Sequence, residues 1–468
     1  MTAGGLRRGA SEGSTRRANP ALRSLHEGKE QRQLGLFDAV SIMVGIVIGV
    51  GIYESPARVA ANVPGPTALL LVWALGGLLA FIGALCYAEL ATAYPRSGGD
   101  YVYLTRAFGS WVGFLYGWAE LLVIRTGSIA AMAFVFSDYV ARLAPLGPRS
   151  PLLYAAIIVG LLSLVNVLGV REGKWTQNAL TVSKVLGLSA VAVVGVVSPF
   201  EGHPGPPVTH AASGSIALAM IFILWTYGGW NENAYVAAEV KEPERNIPRS
   251  LFLGTGLVAL IYVGINGVFL YGLGFGALRS SPAVAADLMV TTFGRAAEKL
   301  MVILVAVSAL GAVNGQIFTG ARIGYALGRD HSAVSRLGAW NQRFGTPAWA
   351  LVVQGLVTLA LIVTFGSRDG FETLVKYTAA VFWFFFLLTG LSLLILRRKD
   401  AERPRPYLVV GYPFTPLVFC ASSAYMLYGS LSYAPLESLW GGAIVLSGLP
   451  LYWLSSRGAI RMGPRSES

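Results

Sequence analysis

The sequence predicts an all-α integral membrane protein with twelve transmembrane helices, built as two inverted repeats of five spans with two extra C-terminal spans. Three observations predict it: a composition too apolar for water, twelve apolar runs of spanning length, and glycine-broken runs at the first and sixth positions. Of the 468 residues, 13% are charged and 54% hydrophobic, whereas an ordinary soluble domain carries ~25% charged residues. Mean hydropathy is +0.59. So few charges cannot keep that much apolar surface in solution, so the solvent is a bilayer.

A helix needs roughly 20 apolar residues to cross the hydrocarbon. Runs of that kind fall at 36–59, 67–94, 111–142, 152–169, 177–198, 214–239, 249–275, 298–326, 348–366, 373–396, 413–431 and 438–456. Pro- and Gly-rich joints separate several of them, as at Asn62-Val-Pro-Gly-Pro66 and Glu201-Gly-His-Pro-Gly-Pro-Pro207. The first repeat is expected at about 34–198, the second at about 214–396 and the extra pair at about 413–456. Residues 1–33 and 457–468 read as polar, basic cytosolic tails, the first of them disordered and without a cleavable signal peptide.

The charges orient the chain. With the N-terminus in the cytosol, 26 of the 36 Lys and Arg residues fall on the cytosolic side and eight on the opposite side. Arg125 and Lys184 lie within spans. This asymmetry follows the positive-inside rule and accounts for the net charge of +12 without a nucleic-acid partner. The four histidines, His26, His203, His210 and His331, sit in the tail or in loops, so no catalytic constellation gathers at one membrane depth and no enzyme is expected. The two cysteines, Cys86 and Cys420, fall inside apolar runs, which leaves no disulfide framework, metal spacing or cofactor motif.

The first run contains Val44-Gly-Ile-Val-Ile-Gly-Val-Gly-Ile-Tyr53, and the sixth contains Ile223-Leu-Trp-Thr-Tyr-Gly-Gly-Trp-Asn-Glu-Asn233. Glycine weakens a helix by ~1 kcal/mol relative to alanine, so such clusters favour unwinding. Glycines also permit close helix packing, and either cluster alone reads most simply that way. Two clusters, at the first and sixth of twelve spans, fit two repeats each led by a broken helix. Unwound backbone inside a membrane must be covered or line a cavity, where free N–H groups suit a carboxylate and free carbonyls an ammonium. Two dissimilar breaks favour one occluded site over the symmetric ring of a channel.

At these residues the chain resembles the amino acid–polyamine–organocation superfamily, and within it the L-type amino acid transporters and their bacterial relatives. The resemblance runs from about Leu34 to Leu454. Gly49-Val-Gly-Ile-Tyr53 resembles the family's Gly-Ser-Gly-Ile-Phe stretch, and Tyr94-Pro-Arg-Ser-Gly-Gly-Asp-Tyr101 its loop after the second helix. Trp118-Ala-Glu-Leu-Leu-Val-Ile-Arg125 resembles the third helix. Tyr227-Gly-Gly-Trp-Asn231, with Glu239 and Arg245-Asn-Ile-Pro248, resembles the sixth helix and its exit. Tyr325-Ala-Leu-Gly-Arg-Asp330 with Gly345-Thr-Pro347 resembles the loop after the eighth.

The resemblance implies a LeuT-type fold and a secondary active transporter in the plasma (inner) membrane, with both termini cytosolic. It would move amino acids, neutral L-amino acids first, as an exchanger or a proton symporter. The alternative is a cationic amino acid or polyamine transporter. The substrate carboxylate would meet the N–H groups of Val50 and Gly51 beside Gly49, and the ammonium would meet carbonyls near Val47, Ile48 and Trp225. Trp225 would be the aromatic gate, Gly228 would leave room for the side chain, and Asn231 would line the site. Val50 stands where serine is usual. Glu232 and Glu54 either favour a cationic substrate or face the aqueous vestibule. The loop between the third and fourth spans has no cysteine, so no disulfide-linked heavy chain is expected.

Lys184, eight residues into the fifth span, either snorkels to the cytosolic interface or bridges the first and eighth helices in place of a coupling Na⁺, as the resemblance implies. In the second case its protonation couples transport to protons, or its fixed charge suits exchange. Glu120 and Arg125 lie five apart, about 500° around an α-helix. They are therefore not expected to stack, and each is expected to pair with another helix. Glu89 and Glu239, at the cytosolic ends of their spans, are expected in ion pairs that close an inner gate.

Overall fold

The computed structural model describes residues 32–197, 216–281, 283–294, 296–366 and 370–460. The break at 201–207, most of the N-terminal tail, and residues 461–468 of the C-terminal tail lie outside the described residues. Among the described residues there is no strand, only two isolated bridges. The helices are α1 (Leu36–Val47), α2 (Gly51–Ala61), α3 (Pro66–Ala93), α4 (Asp100–Phe108), α5 (Ser110–Ala119), α6 (Arg125–Leu143), α7 (Ser150–Leu168) and α8 (Val170–Val197). Then follow α9 (Ile216–Thr226), α10 (Pro243–Ser280), α11 (Val284–Phe293), α12 (Ala296–Asp330), α13 (Ala348–Thr364), α14 (Gly370–Lys399), α15 (Phe414–Tyr433), α16 (Pro435–Leu446) and α17 (Gly448–Ile460).

A helix or a helix pair thus occupies each of the twelve apolar runs. Among the described residues, seven helices are long and apolar enough to cross a membrane, or eight with α1 and α2 taken as one span bent by 47°. Their outer faces suit hydrocarbon. On α7, Leu153, Ile157, Leu161 and Leu164 are exposed at a helical period, while Ala155, Ile158, Val159 and Leu162 face inward.

The centre of the molecule is α1, packed against α8, α10 and α12. Its approach to α8 depends on Gly45. A Cβ there would overlap Thr181 Oγ1 and Gln177 Nε2. At Gly45, therefore, glycine serves close packing, and the unwinding occurs farther on. Overpacking of this kind costs ~1–3 kcal/mol. Gly45→Val is expected to lower the melting temperature of the detergent-purified protein, which a size-exclusion thermal-shift series would measure.

Candidate functional site

Helical bonding in α1 stops at its end. Ile48 N–H donates to Val44 O at 2.9 Å, but Gly49 N–H turns back to Val47 O at 2.7 Å. Val50 is the N-cap of α2 and no side chain caps it, so the first amides of α2 have no acceptor within the helix. The second break follows α9. Gly228 N–H donates to Trp225 O at 3.0 Å, and Gly229 takes φ 102° before the 3₁₀ turn Trp230–Ala234. A Cβ on Gly229 would lie 2.8 Å from Ile46 Cγ2. Positive φ and this close approach make glycine the residue that lets the two breaks touch.

Between the breaks lies a cavity of about 140 Å³. Val47, Gly49, Val50, Gly51, Trp225, Gly228, Asn231 and Glu232 all line it, whereas Ile48 does not. Ile124, Met132, Val375, Phe382 and Trp383 add an apolar wall, with Ser128, Gln316 and Thr378 as neutral polar groups. Gln316 is 7% exposed, and its Oε1 meets no donor. Sequence reasoning missed Gln316 and Phe382 because neither sits at a helix break, and nothing in the pattern marks which face of α12 or α14 turns inward. Trp225 meets Phe371 edge-on, centroids 5.8 Å apart. It separates the cavity from a second one of about 130 Å³ that contains Glu54, Arg58, Glu372 and Lys376. Glu54 therefore stands outside the central cavity, where it accepts from Tyr139 OH at 3.2 Å.

The carbonyls freed at the first break already have donors. Lys184 is fully buried rather than snorkelling, and its Nζ donates to Gly45 O (2.7 Å), Ile48 O (2.8 Å) and Ser308 O (2.8 Å). It ties α8 to the break and to α12. Ser308 Oγ lies 2.9 Å from Ile48 O and 3.1 Å from Gly49 O. Tyr262 OH, from α10, lies 2.7 Å from Val47 O and 3.3 Å from Thr226 O, so one hydroxyl touches both breaks.

The charged wall corrects an expectation. Glu120 and Arg125 do pair, with Arg125 Nε donating to Glu120 Oε2 at 3.1 Å. Residues Glu120–Ile124 form a π turn, in which Arg125 N–H bonds Glu120 O. An i→i+5 turn brings residues five apart onto one face, which α geometry does not. Arg125 also reaches another segment, with Nη1 donating to Glu232 Oε1 at 2.7 Å. Thr319 Oγ1 donates to Glu232 Oε2 at 2.5 Å, and Tyr116 OH to Glu120 Oε1 at 3.0 Å. Every carboxylate oxygen in the trio has a protein donor.

On the side predicted to be cytosolic, Arg322 grips Glu239 with Nε–Oε1 2.7 Å and Nη2–Oε2 3.0 Å, both side chains 1% exposed. Leu34 N–H donates to Glu239 O at 3.0 Å and Lys241 N–H to Leu34 O at 2.9 Å, which ties the chain entering α1 to the segment before α10. Asp38 accepts from Lys174 at 3.0 Å and Asn178 at 2.8 Å, tying α1 to α8. Glu89 pairs with Arg397 and Arg405 instead, and accepts Val409 N–H at 2.8 Å, so it anchors the chain after α14 rather than α1.

In the trio, Arg125 is the only cation for two carboxylates, and stranding a buried charge costs about 3–5 kcal/mol. Arg125→Gln is therefore expected to destabilise the purified protein strongly. Glu232→Gln, which leaves the Arg125–Glu120 pair, is expected to cost far less, and paired thermal melts would rank the two.

The sequence profile of a family described as amino acid permease matches residues 34–453. The chain is 34% identical to the b(0,+)-type amino acid transporter 1 of the rat, over 96% of this chain and 92% of the rat protein. It is 33% identical to the human protein of the same name, over 91% of this chain and 88% of the relative. The mouse large neutral amino acids transporter small subunit 2 is 35% identical, over 91% of this chain and 81% of that protein.

Proposed function

This chain belongs to the amino acid permease family, and from that premise we propose that it is a secondary active transporter of neutral L-amino acids, working by alternating access in a plasma membrane. The cavity between the two helix breaks carries the reading. It pairs uncapped amides at Val50 and Gly51 with a largely apolar wall and an aromatic lid, Trp225 on Phe371. A free carboxylate suits those amides and an apolar side chain suits the wall. The twelve helical segments are read as twelve crossings, the first ten as inverted repeats led by the breaks. Both termini are placed in the cytosol by the charge asymmetry.

The ammonium is assigned to the acceptors still open. Val47 O already holds Gly49 N–H and Tyr262 OH, and Ile48 O holds Lys184 and Ser308. That leaves Trp225 O, which accepts Gly228 N–H, and Gln316 Oε1. Neutral substrates are favoured over cationic amino acids and polyamines because both oxygens of Glu232 are engaged by Arg125 and Thr319, while Glu54 lies beyond the lid. The name of the mouse relative points the same way. Lys184 is read as the coupling residue, a fixed cation between α1 and α12 in the place of a coupling ion. Both cysteines are buried, and the loop at 144–149 has none. The chain is accordingly read as working without a disulfide-linked partner.

Proteoliposome uptake of a labelled amino-acid and polyamine panel, into empty and preloaded vesicles, tests the reading. Preloading alone should unmask uptake if the protein exchanges, and an inward proton gradient should drive it if it is a symporter. Polyamine signal without amino-acid signal would overturn the substrate class. A Cβ on Gly49 meets only ordinary contacts, 3.6 Å to Ile46 O and 3.8 Å to Ala312 Cβ. Gly49→Leu should therefore fold, fill the cavity and lose at least tenfold in transport. Lys184→Ala, which strips three carbonyls of their donor, should lose transport as well, and wild-type uptake with unchanged pH dependence would remove its coupling role.

A further inference from the structure

A carboxyl group is buried on the cytosolic side of the cavity without a cation beside it. Asp100 opens α4, in the loop after α3, and is 2% exposed. Its Oδ2 accepts from Tyr235 OH at 2.9 Å, and Tyr116 OH stands 3.3 Å away. Its Oδ1 is buried and meets no donor. Around it stand Tyr87 of α3, Tyr103 of α4, Tyr116 of α5, Tyr235 after the 3₁₀ turn, and Glu120 of the π turn. Arg125 lies 5.2 Å from the Tyr235 ring but is committed to Glu120 and Glu232. Toward α12, Tyr101 OH bonds Asp330 at 2.9 Å, and Arg322 is held by Glu239. On α14, Arg397 is held by Glu89, and Lys399 Nζ donates to Arg106 O at 2.9 Å. The neighbours of Asp100 are phenols and a carboxylate. A dry carboxyl group without a cation holds its proton more tightly than a hydrated one.

The same residues form a clasp. Gly98 N–H donates to Tyr235 O at 3.1 Å while Tyr235 OH holds Asp100. Tyr235 belongs to the segment that ends at Glu239, where the main-chain bonds to Leu34 and the Arg322 pair close the cytosolic face. That segment must part from the loop carrying Asp100 for this face to open.

We propose that Asp100 is a proton-binding site whose protonated form latches the cytosolic face shut, so that losing the proton biases the protein toward opening inward. The proposal rests on the alternating-access reading and adds to it a titrating group remote from Lys184. Burial is the largest influence on Asp100 and raises its pKa from 3.8 to about 7, the surrounding phenol hydroxyls, of which Tyr235 donates the hydrogen bond, pulling down and the charge of Glu120 pushing up. An open, hydrated Asp100 returns toward 3.8. Closure therefore takes up a proton between these two values. Its advantage is largest at acid pH and is lost as pH rises through about 7, by at most about tenfold per pH unit for one proton.

The test follows cytosolic exposure of the closed bridge directly. Cys86 and Cys420 are replaced by alanine in the full chain, and Val240→Cys, at a position 0% exposed, is labelled with an impermeant maleimide in inside-out vesicles. Rates are taken across the neutral and acid range and divided by those of Arg245→Cys, an exposed reference on the same face. The normalised rate should rise with pH and level off near neutrality, and Asp100→Asn should hold it low and flat. Tyr235→Phe, which removes the hydroxyl that donates to the carboxylate, should move the rise to higher pH, and it keeps the test open should Asp100→Asn fail to fold. A flat profile in the parent, or the same rise in Asp100→Asn, overturns the proposal. No substrate is needed, so a silent uptake panel beside the expected labelling would fail the transport reading alone.

Discussion

A helix broken inside a bilayer must satisfy its freed backbone groups without water, and this constraint organises the molecule. At the first break the solution is divided. The carbonyls are served from three directions, by the Lys184 ammonium from α8, by Ser308 from α12 and by Tyr262 from α10. The amides that begin α2 receive nothing comparable. A break finished on its acceptor side and open on its donor side is selective for an anionic group. The tight packing around it follows from the same requirement, because donors on three helices reach the break only if those helices crowd α1. Gly45 lets α8 approach, and Gly229 lets the second break come up against the first.

The charges obey a related rule. In a low dielectric, ionised groups persist only where partners surround them. Glu120, Arg125 and Glu232 form a closed trio whose oxygens are all engaged, on the wall of the cavity proposed to receive substrate. A wall of this kind adds field and rigidity without offering a free charge. Glu239 and Arg322 solve the same problem at the end predicted to be cytosolic by a two-pronged pair. Asp100 stands apart among the described buried carboxyl groups, approached by hydroxyls and by no cation, and the proton proposed for it would take the place of that cation.

How much of this is legible in the sequence depends on whether a feature is local. The helical segments, the two breaks and the residues at them are local, since composition and glycine spacing mark them directly. Lys184 is legible too, because an isolated cation in an apolar run demands a partner. Ile48 shows the limit: it sits within the break, yet its carbonyl turns to Lys184 and its side chain stays out of the cavity. The pairing of Glu120 with Arg125 was hidden, because one extra residue in a turn changes the periodicity on which the reading depends. Glu89 was placed at the right end of its helix, but its partners come from residues more than 300 positions away. Gln316 and Phe382 belong to unbroken helices, and only three-dimensional packing decides which of their faces meets the cavity.

The two ends of the cavity are closed by different kinds of matter. Toward the second cavity the partition is two rings, Trp225 on Phe371, which can reorient without disturbing the backbone. Toward the side predicted to be cytosolic the barrier is main chain bonded to main chain, with buried ion pairs behind it, and it yields only when whole segments move, on scales of microseconds or longer. The molecule is thus a valve with a thin door on one side and a thick one on the other. Under the alternating access proposed above, loading and unloading through the thin door would reach equilibrium many times for each passage of the thick one. Under the proposed transport cycle, turnover in both directions is paced by the thick door, and competition among substrates is decided before it.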